Sequence, residues 1–281
     1  MPLKRCLVLL DLDKCSIFGN DGNDLGISMQ WMEGSYEDVR ELYKLLVCPR
    51  LRPAYDELRA QGHEKIEVVI YTMRATFLLY RSGFRPSVIP LRWAPEWHYG
   101  NQVYFPSEVV SADDILNTYC TPVELLEEEK VDLRKSLERM IAARQAIQAA
   151  LELDKPPIVI VTATPKDVEQ TSVYLGYELR HSFLWDDNEK LAGQSNVVSV
   201  EPYERMMPDD RDKVLTFLNN RLPPTSLDHD LVEFLDGAES NDAALEYDEQ
   251  GTPYWRVPCT DQPPPPWTVP DIQEQPGRGL G

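Results

Sequence analysis

Two acids separated by one residue, Asp11 and Asp13, follow four apolar residues, Leu7 to Leu10, in the stretch "CLVLLDLDKCSIFGNDGNDLG" (6–26). A second acid pair, Asp186 and Asp187, closes "FLWDDN" in the same manner. Thr72 ends the run "IEVVIYT", and Lys166 stands at the start of a helical pattern just before the second pair. Carboxylates brought together repel one another unless a hard cation sits among them. Oxygen ligands suit Mg²⁺, which keeps waters and takes a substrate phosphate oxygen as a further ligand. A hydroxyl and an ammonium beside such a cation hold and neutralise phosphoryl oxygens. One carboxylate can then attack phosphorus covalently, and a neighbouring carboxyl can pass a proton to the leaving oxygen. An isolated D-x-D is also a common turn or cap sequence, so the elements that carry these residues must decide whether they converge.

Four short apolar runs read as strands buried on both faces: "CLVLLDLD" (6–13), "IEVVIYT" (66–72), "PPIVIVTAT" (156–164) and "HSFLWDDN" (181–188), with "NVVSVEPY" (196–203) as a weaker fifth. Helical patterns lie between them. "SYEDVRELYKLL" (35–46) opens on Ser35 as N-cap, and "RPAYDELRAQG" (52–62) has Pro53 at its start and Gly62 at its stop. The stretch 121–154 carries Thr121 and Glu124 as a capping box, then an apolar stripe through Leu126, Leu133, Leu137, Met140, Ile147 and Leu151. "KDVEQTSVYLGYEL" (166–179) and "RDKVLTFLNNRL" (211–222) complete the set. Strands alternating with helices predict an α/β fold with a doubly wound, mostly parallel sheet. In such sheets the carboxyl ends of the strands share one edge, where ligands bind. Asp11, Asp13, Thr72, Asp186 and Asp187 all fall at strand ends, so they are expected to meet there.

Composition narrows the function classes. The chain has 281 residues with 28 Lys and Arg against 47 Asp and Glu, a net charge of −19. That field repels a phosphate backbone, so nucleic-acid binding is not expected. The five cysteines, Cys6, Cys15, Cys48, Cys120 and Cys259, are widely spaced without any C-x-x-C, which signals neither a disulfide framework nor a zinc site. No apolar run approaches the ~18 residues of a membrane span. The expectation is a soluble intracellular protein of the cytoplasm, with the nucleus as the alternative. From 223 onward the chain holds 10 of the 23 prolines, including "PPPP" at 263–266, and 12 acids against two arginines. The domain reading is therefore a folded unit over 1–222, with insertions at about 14–50 and 92–155, and an acidic, Pro-rich tail over 223–281 that is mostly disordered or peripherally draped, with "DHDLVEFL" and "YWRVP" able to dock on the folded domain or on a partner. The larger insertion is expected to rest its apolar stripe on the core as a lid or lobe near the site, and the tail offers a surface for a protein partner.

"LLDLDKC", then "IYT", then a lysine, then "FLWDDN", in that order along alternating strands and helices, resembles the haloacid dehalogenase superfamily of aspartate-nucleophile phosphatases. "LRPAYDELRAQGHEKIEVVIYTMR" (51–74) and 186–222 are similar to the corresponding segments of the NLI-interacting-factor branch, related to phosphatases of the RNA polymerase C-terminal domain. The resemblance covers roughly 1–91 and 156–222. It implies Mg²⁺-dependent hydrolysis of a phosphomonoester through an aspartyl-phosphate. By position Asp11 would be the nucleophile and Asp13 the acid/base, Thr72 and Lys166 would bind phosphate, and Asp11, Asp13, Asp186 and Asp187 would surround the metal. Two positions depart from the family pattern: Cys15 stands where a small hydroxyl residue is usual, and "DDNE" replaces a "DDSP"-like ending.

Alternatives stay open at several of these positions. Thr162 competes with Thr72 for the phosphate, and Lys190 competes with Lys166, although Lys190 follows the last strand instead of preceding it. "NDGNDLG" (20–26) resembles a fragment of a calcium loop but lacks its twelve-residue ligand spacing, and a Gly/Asn turn is expected there. Trp93, Trp97, His98, Tyr99, Tyr104 and Phe105 either pack under the long helix or line a cleft. The alternative to an enzyme is a non-catalytic protein that keeps the fold and binds a phosphorylated partner. A receiver-type phosphoacceptor would place its lysine last, whereas here a lysine precedes the second acid pair. The substrate, a phosphoprotein or a small molecule, is not written in any motif.

Overall fold

A computed structural model of the chain describes residues 5–19, 36–63, 65–73, 102–119, 127–162, 166–221, 245–255 and 257–270. The strands are β1 (Arg5–Leu10), β2 (Lys65–Thr72), β3 (Gln102–Phe105), β4 (Ile158–Thr162), β5 (Ser182–Asp186), β6 (Val197–Ser199), β7 (Leu245–Tyr247) and β8 (Pro253–Trp255). The first six form one sheet in the order β3-β4-β2-β1-β5-β6, in which only β3 runs antiparallel. Strand β1 lies inside the sheet, paired with β2 on one side (Leu10 opposite Ile70) and β5 on the other (Leu10 opposite Trp185). Connections from β1 first run outward through β2 and β4, then return to its other side through β5 and β6. The topology therefore reverses at β1, and the crevice at its carboxyl end is the expected ligand position.

An all-apolar β1 follows from burial on both faces. Cys6, Val8 and Leu10 enter one apolar cluster, Leu7 and Leu9 the other, and all five are fully buried. The larger cluster is covered by α1 (Tyr36–Leu46), α2 (Leu51–Ala60), α4 (Glu127–Leu151) and α6 (Pro208–Arg221), and the smaller lies on the face of α5 (Val168–Leu175). Helix α1 buries Val39, Leu42, Tyr43 and Leu46, the i, i+3, i+4, i+7 face of an amphipathic helix. Helix α2 buries Leu51, Ala54, Tyr55 and Leu58 at the same spacing, and the chain leaves it through Gly62 at φ +84°, a left-handed turn that glycine enters without strain.

The larger insertion joins the core instead of standing apart. Its β3 pairs with the outer edge of β4, and α4 buries Leu137, Met140, Ile147 and Leu151 of the expected stripe, packing against α1 and α2. Phe105 is core, so packing is the role of that aromatic; Trp93, Trp97, His98 and Tyr99 lie outside the described residues, as do Ser35, Thr121, Glu124 and "NDGNDLG". Between β3 and α4 the short α3 (Ala112–Tyr119) is capped reciprocally. Asp114 Oδ2 accepts from the Ser111 backbone N–H at 3.0 Å, and Ser111 Oγ accepts from the Asp114 N–H at 3.0 Å. Arg144 of α4 is almost fully buried, and its guanidinium donates to the carbonyls of Pro106 and Val109, tying the connection to the long helix.

The expectation of a mostly disordered or peripherally draped tail over 223–281 is corrected for 245–255 and 257–270. Strands β7 and β8 form a hairpin, and Trp255, Val257 and Trp267 are buried in the larger apolar cluster. The Met206 N–H donates to the Pro258 carbonyl at 3.0 Å, and the Thr260 N–H returns to the Met206 carbonyl at 2.9 Å. Proline content misled the sequence reading for a physical reason. Prolines fix φ and remove N–H donors, so a Pro-rich strand needs no ladder and loses little entropy on docking. The two tryptophans then supply the burial, since such side chains each bury about 150–250 Å². No helix among the described residues is long and apolar enough to cross a membrane.

Candidate active site

The carboxyl end of β1 is held in a tight turn. Pairing with β5 extends one bond past the strand, from the Asp11 N–H to the Trp185 carbonyl at 3.0 Å. The Asp11 carbonyl then accepts from both the Ser16 N–H (3.3 Å) and Ser16 Oγ (2.6 Å), and the Ile17 N–H closes on the Leu12 carbonyl at 2.9 Å. Lys14 takes φ +56° at the bend. The acids are thus fixed by backbone bonds and leave their carboxylates at the sheet edge. Ser16, fully buried, is a positioning residue that sequence reading missed, because its partner is a backbone atom. Cys15 is also buried, and its thiol donates to the Trp185 carbonyl at 3.5 Å. Burial, with the charges of Asp11, Asp186 and Asp187, pushes that thiol well above its usual range, so Cys15 packs as a small apolar residue.

Lys166 reaches this turn from the residue before the cap of α5. Asp167 caps that helix by accepting from the Gln170 N–H at 2.9 Å, and the Asp167 N–H donates to the Tyr71 hydroxyl at 3.1 Å. Anchored in this way, the buried Lys166 ammonium donates to Asp11 Oδ1 and, at 2.6 Å, to Asp186 Oδ2. Asp186 is fully buried at the end of β5, and its Oδ1 accepts from the Asn188 N–H at 2.8 Å. Residues far apart in sequence therefore share one ammonium. Lys166, not Lys190, occupies that position.

Carboxylate oxygens of Asp11, Asp186 and Asp187 lie within 4.8 Å of one another. Three acids against one buried ammonium leave excess negative charge in a poorly solvated place, and hard oxygen donors in such a cluster fit a divalent cation such as Mg²⁺. Asp13 lines the same cavity but stands outside this group of three. Thr72 and Thr162 are fully buried at the ends of β2 and β4, and neither lines the cavity. The cavity holds about 670 Å³ and is lined by Asp11, Asp13, Lys166, Asp186 and Asp187 at one end. Lys14, Met73, Lys190, Leu191 and Gln194 also line it, and of these the sequence reading had weighed only Lys190.

Burial pushes the Asp11 carboxyl well above its usual range; Lys166 opposes this, while Asp186 and Asp13 add to it. Burial likewise raises Asp187, against a hydrogen bond with Asp11 and with the charge of Asp186 adding. For Lys166, burial works downward, but Asp11 and Asp186 outweigh it and hold the ammonium above its ordinary value. Between the ordinary Asp value of about 3.9 and the raised values, the metal-free native state binds more protons than the unfolded chain, so stability falls as pH rises through that window. A cation must displace those protons. Mg²⁺ is therefore expected to raise the melting temperature, to release protons on binding, and to bind more weakly at about pH 5 than at about pH 8. Calorimetric titration in two buffers of different ionisation heat, with melting curves in chelator and in Mg²⁺, checks all three.

No family model, no curated protein and no solved structure matches the chain. What defines the site is its own geometry: an α/β sheet whose topological reversal carries three clustered carboxylates, a fourth acid beside them and a lysine bridging two of them.

Proposed function

We propose that the chain is a Mg²⁺-dependent phosphomonoester hydrolase of the kind its sequence resembles, working through an aspartyl-phosphate on Asp11. The observation that carries this reading is the Lys166 ammonium held between Asp11 and Asp186 at the crevice of β1. It places a fixed positive charge beside the candidate nucleophile, where a phosphoryl group would develop charge on its oxygens.

Asp11, Asp186 and Asp187 would hold the cation, which when bound supplies charge neutralisation for the phosphoryl oxygens. Asp11 attacks phosphorus; the Asp11–phosphorus bond forms as the bond to the leaving oxygen breaks, and that oxygen takes a proton from the Asp13 carboxyl. Asp13, now a carboxylate, takes a proton from water as the water oxygen bonds phosphorus. Asp11 is released, and inorganic phosphate leaves. Asp13 lines the same cavity beside the group of Asp11, Asp186 and Asp187, the position that this shuttle needs. Lys166 orients Asp11 and steadies the phosphoryl oxygens. The resemblance would give Thr72 a phosphate-binding role, although its side chain is buried at the end of β2 and does not line the cavity. The full chain is expected to hydrolyse an activated aryl phosphate in Mg²⁺, to stop in chelator, and to show acid-stable, hydroxylamine-labile phosphate on the protein. An inert protein with every substrate in a broad phosphomonoester panel would sink this reading in favour of a phosphate-binding module.

A further inference from the structure

Resting on that reading, we infer that Lys190 selects substrates whose leaving group carries a second anionic group, a carboxylate or a second phosphate. The cavity is the first reason. A water occupies about 30 Å³ in the liquid, and a phosphoryl group is only a few times larger, so about 670 Å³ leaves most of the space for the rest of the substrate.

That remaining space is not neutral. Lys190 sits in the short 3₁₀ turn Glu189–Leu191, which directly follows the Asp186–Asp187 pair. The turn is closed at both levels: Asn188 Oδ1 accepts from the Lys190 N–H at 3.0 Å, and the Asn188 carbonyl accepts from the Leu191 N–H at 2.9 Å. Leu191 is buried in the smaller apolar cluster and anchors it. The backbone of Lys190 is thus fixed relative to the metal-binding acids, and its side chain lines the cavity together with Gln194 and Met73.

The charge environment is the second reason. Lys44, Lys65 and Lys213 pair with acids on their own elements, Lys14 lies 3.8 Å from Glu204, and Lys166 is shared by Asp11 and Asp186. Among the described lysines, Lys155 and Lys190 have no acid partner, and of these two it is Lys190 that lines this cavity, Lys155 lining another. Lys190 is a positive group facing a cavity that the inner site does not use. A carboxylate or phosphate on the leaving group would meet it, while the exposed Met73 side chain offers apolar surface nearby.

The test is binding of non-hydrolysable probes to the full chain in Mg²⁺, by calorimetry: propylphosphonate, its carboxylate analogue phosphonobutyrate, and propylene bisphosphonate. Wild type is expected to bind one or both doubly anionic probes about tenfold more tightly than propylphosphonate, the scale of one charge-assisted hydrogen bond in a half-open site. Which of the two gains more separates a carboxylate from a phosphate. In Lys190→Met the ratio should collapse towards one, and Lys190→Arg should restore it. Equal binding of all three probes by wild type overturns the inference, as does a preference that survives Lys190→Met, or failure to bind any phosphonate. The hydrolase reading fails separately. Aryl phosphate turnover without the anion preference leaves that reading standing and removes this one; the preference without any turnover does the reverse.

Discussion

Replacing Asp11 by Asn should bring Mg²⁺-dependent hydrolysis to background for every substrate. The amide nearly preserves the shape of the side chain but offers no nucleophilic oxygen, so no phosphoenzyme can form. Asp13→Asn should fail differently. The nucleophile survives and proton transfer is lost, a step usually worth ~10²–10⁴-fold. That loss should be largest for an alkyl phosphate and small for an activated aryl phosphate, whose leaving oxygen departs without a proton. Both variants should fold. In Asp11→Asn the ammonium of Lys166 keeps its bond to Asp186, and one member of a self-repelling acid cluster is gone. Initial rates with an aryl and an alkyl phosphate, alongside melting curves, decide the matter. Wild-type turnover by Asp11→Asn would rule out the aspartyl-phosphate route.

A chain ending at Arg221 should not reach native stability. It loses Trp255, Val257 and Trp267 from the main apolar cluster, and with them the Met206 bonds to 258 and 260. Truncating one buried tryptophan to alanine costs about 3–5 kcal/mol, against a total stability of about 5–15 kcal/mol for a typical domain. Losing the segment is therefore expected to unfold the protein or lower its melting temperature steeply. The single variant Trp267→Ala should stay folded but lose about 3–5 kcal/mol in chemical denaturation. It should also weaken turnover, because Trp267 packs on Trp185 with ring centroids 5.2 Å apart, and the Thr268 carbonyl accepts from Trp185 Nε1 at 3.0 Å. Trp185 in turn supplies the carbonyl that holds the Asp11 N–H. A truncated chain that melts cooperatively at the wild-type temperature would mean that this packing contributes nothing.

The strands that carry the site were legible because burial on both faces leaves an unbroken apolar run, and the four strong runs are β1, β2, β4 and β5. Lys166 prevails over Lys190 because, just ahead of α5, its ammonium donates to both Asp11 and Asp186. Ends were less legible. β1 stops at Leu10, not Asp13, since the Ser16 bonds to Asp11 turn the chain at once. Helix α5 stops at Leu175, not 179, because Gly176 takes φ +73° and caps it. Strand β3 was missed: four residues are too few to show a period, and its pairing depends on an edge that only the folded sheet provides. The tail was read mainly from composition, which counts prolines and charges; docking of "YWRVP", which holds Trp255, was the lesser reading, and Trp267, set in a Pro-rich run, gave no signal.

Strand β3 has a consequence for how the molecule keeps to itself. Without it, β4 would end the sheet as an open, parallel, β-branched edge, Ile158 to Val161, the kind of flat apolar border on which other chains template intermolecular strands. Among the described residues, the insertion's antiparallel strand leaves a four-residue strand at that margin, and the opposite margin is the three-residue β6. Short margins are poor templates. The insertion thus acts as a guard against aggregation, and a version of this fold lacking it would need another cover for β4 to remain dispersed.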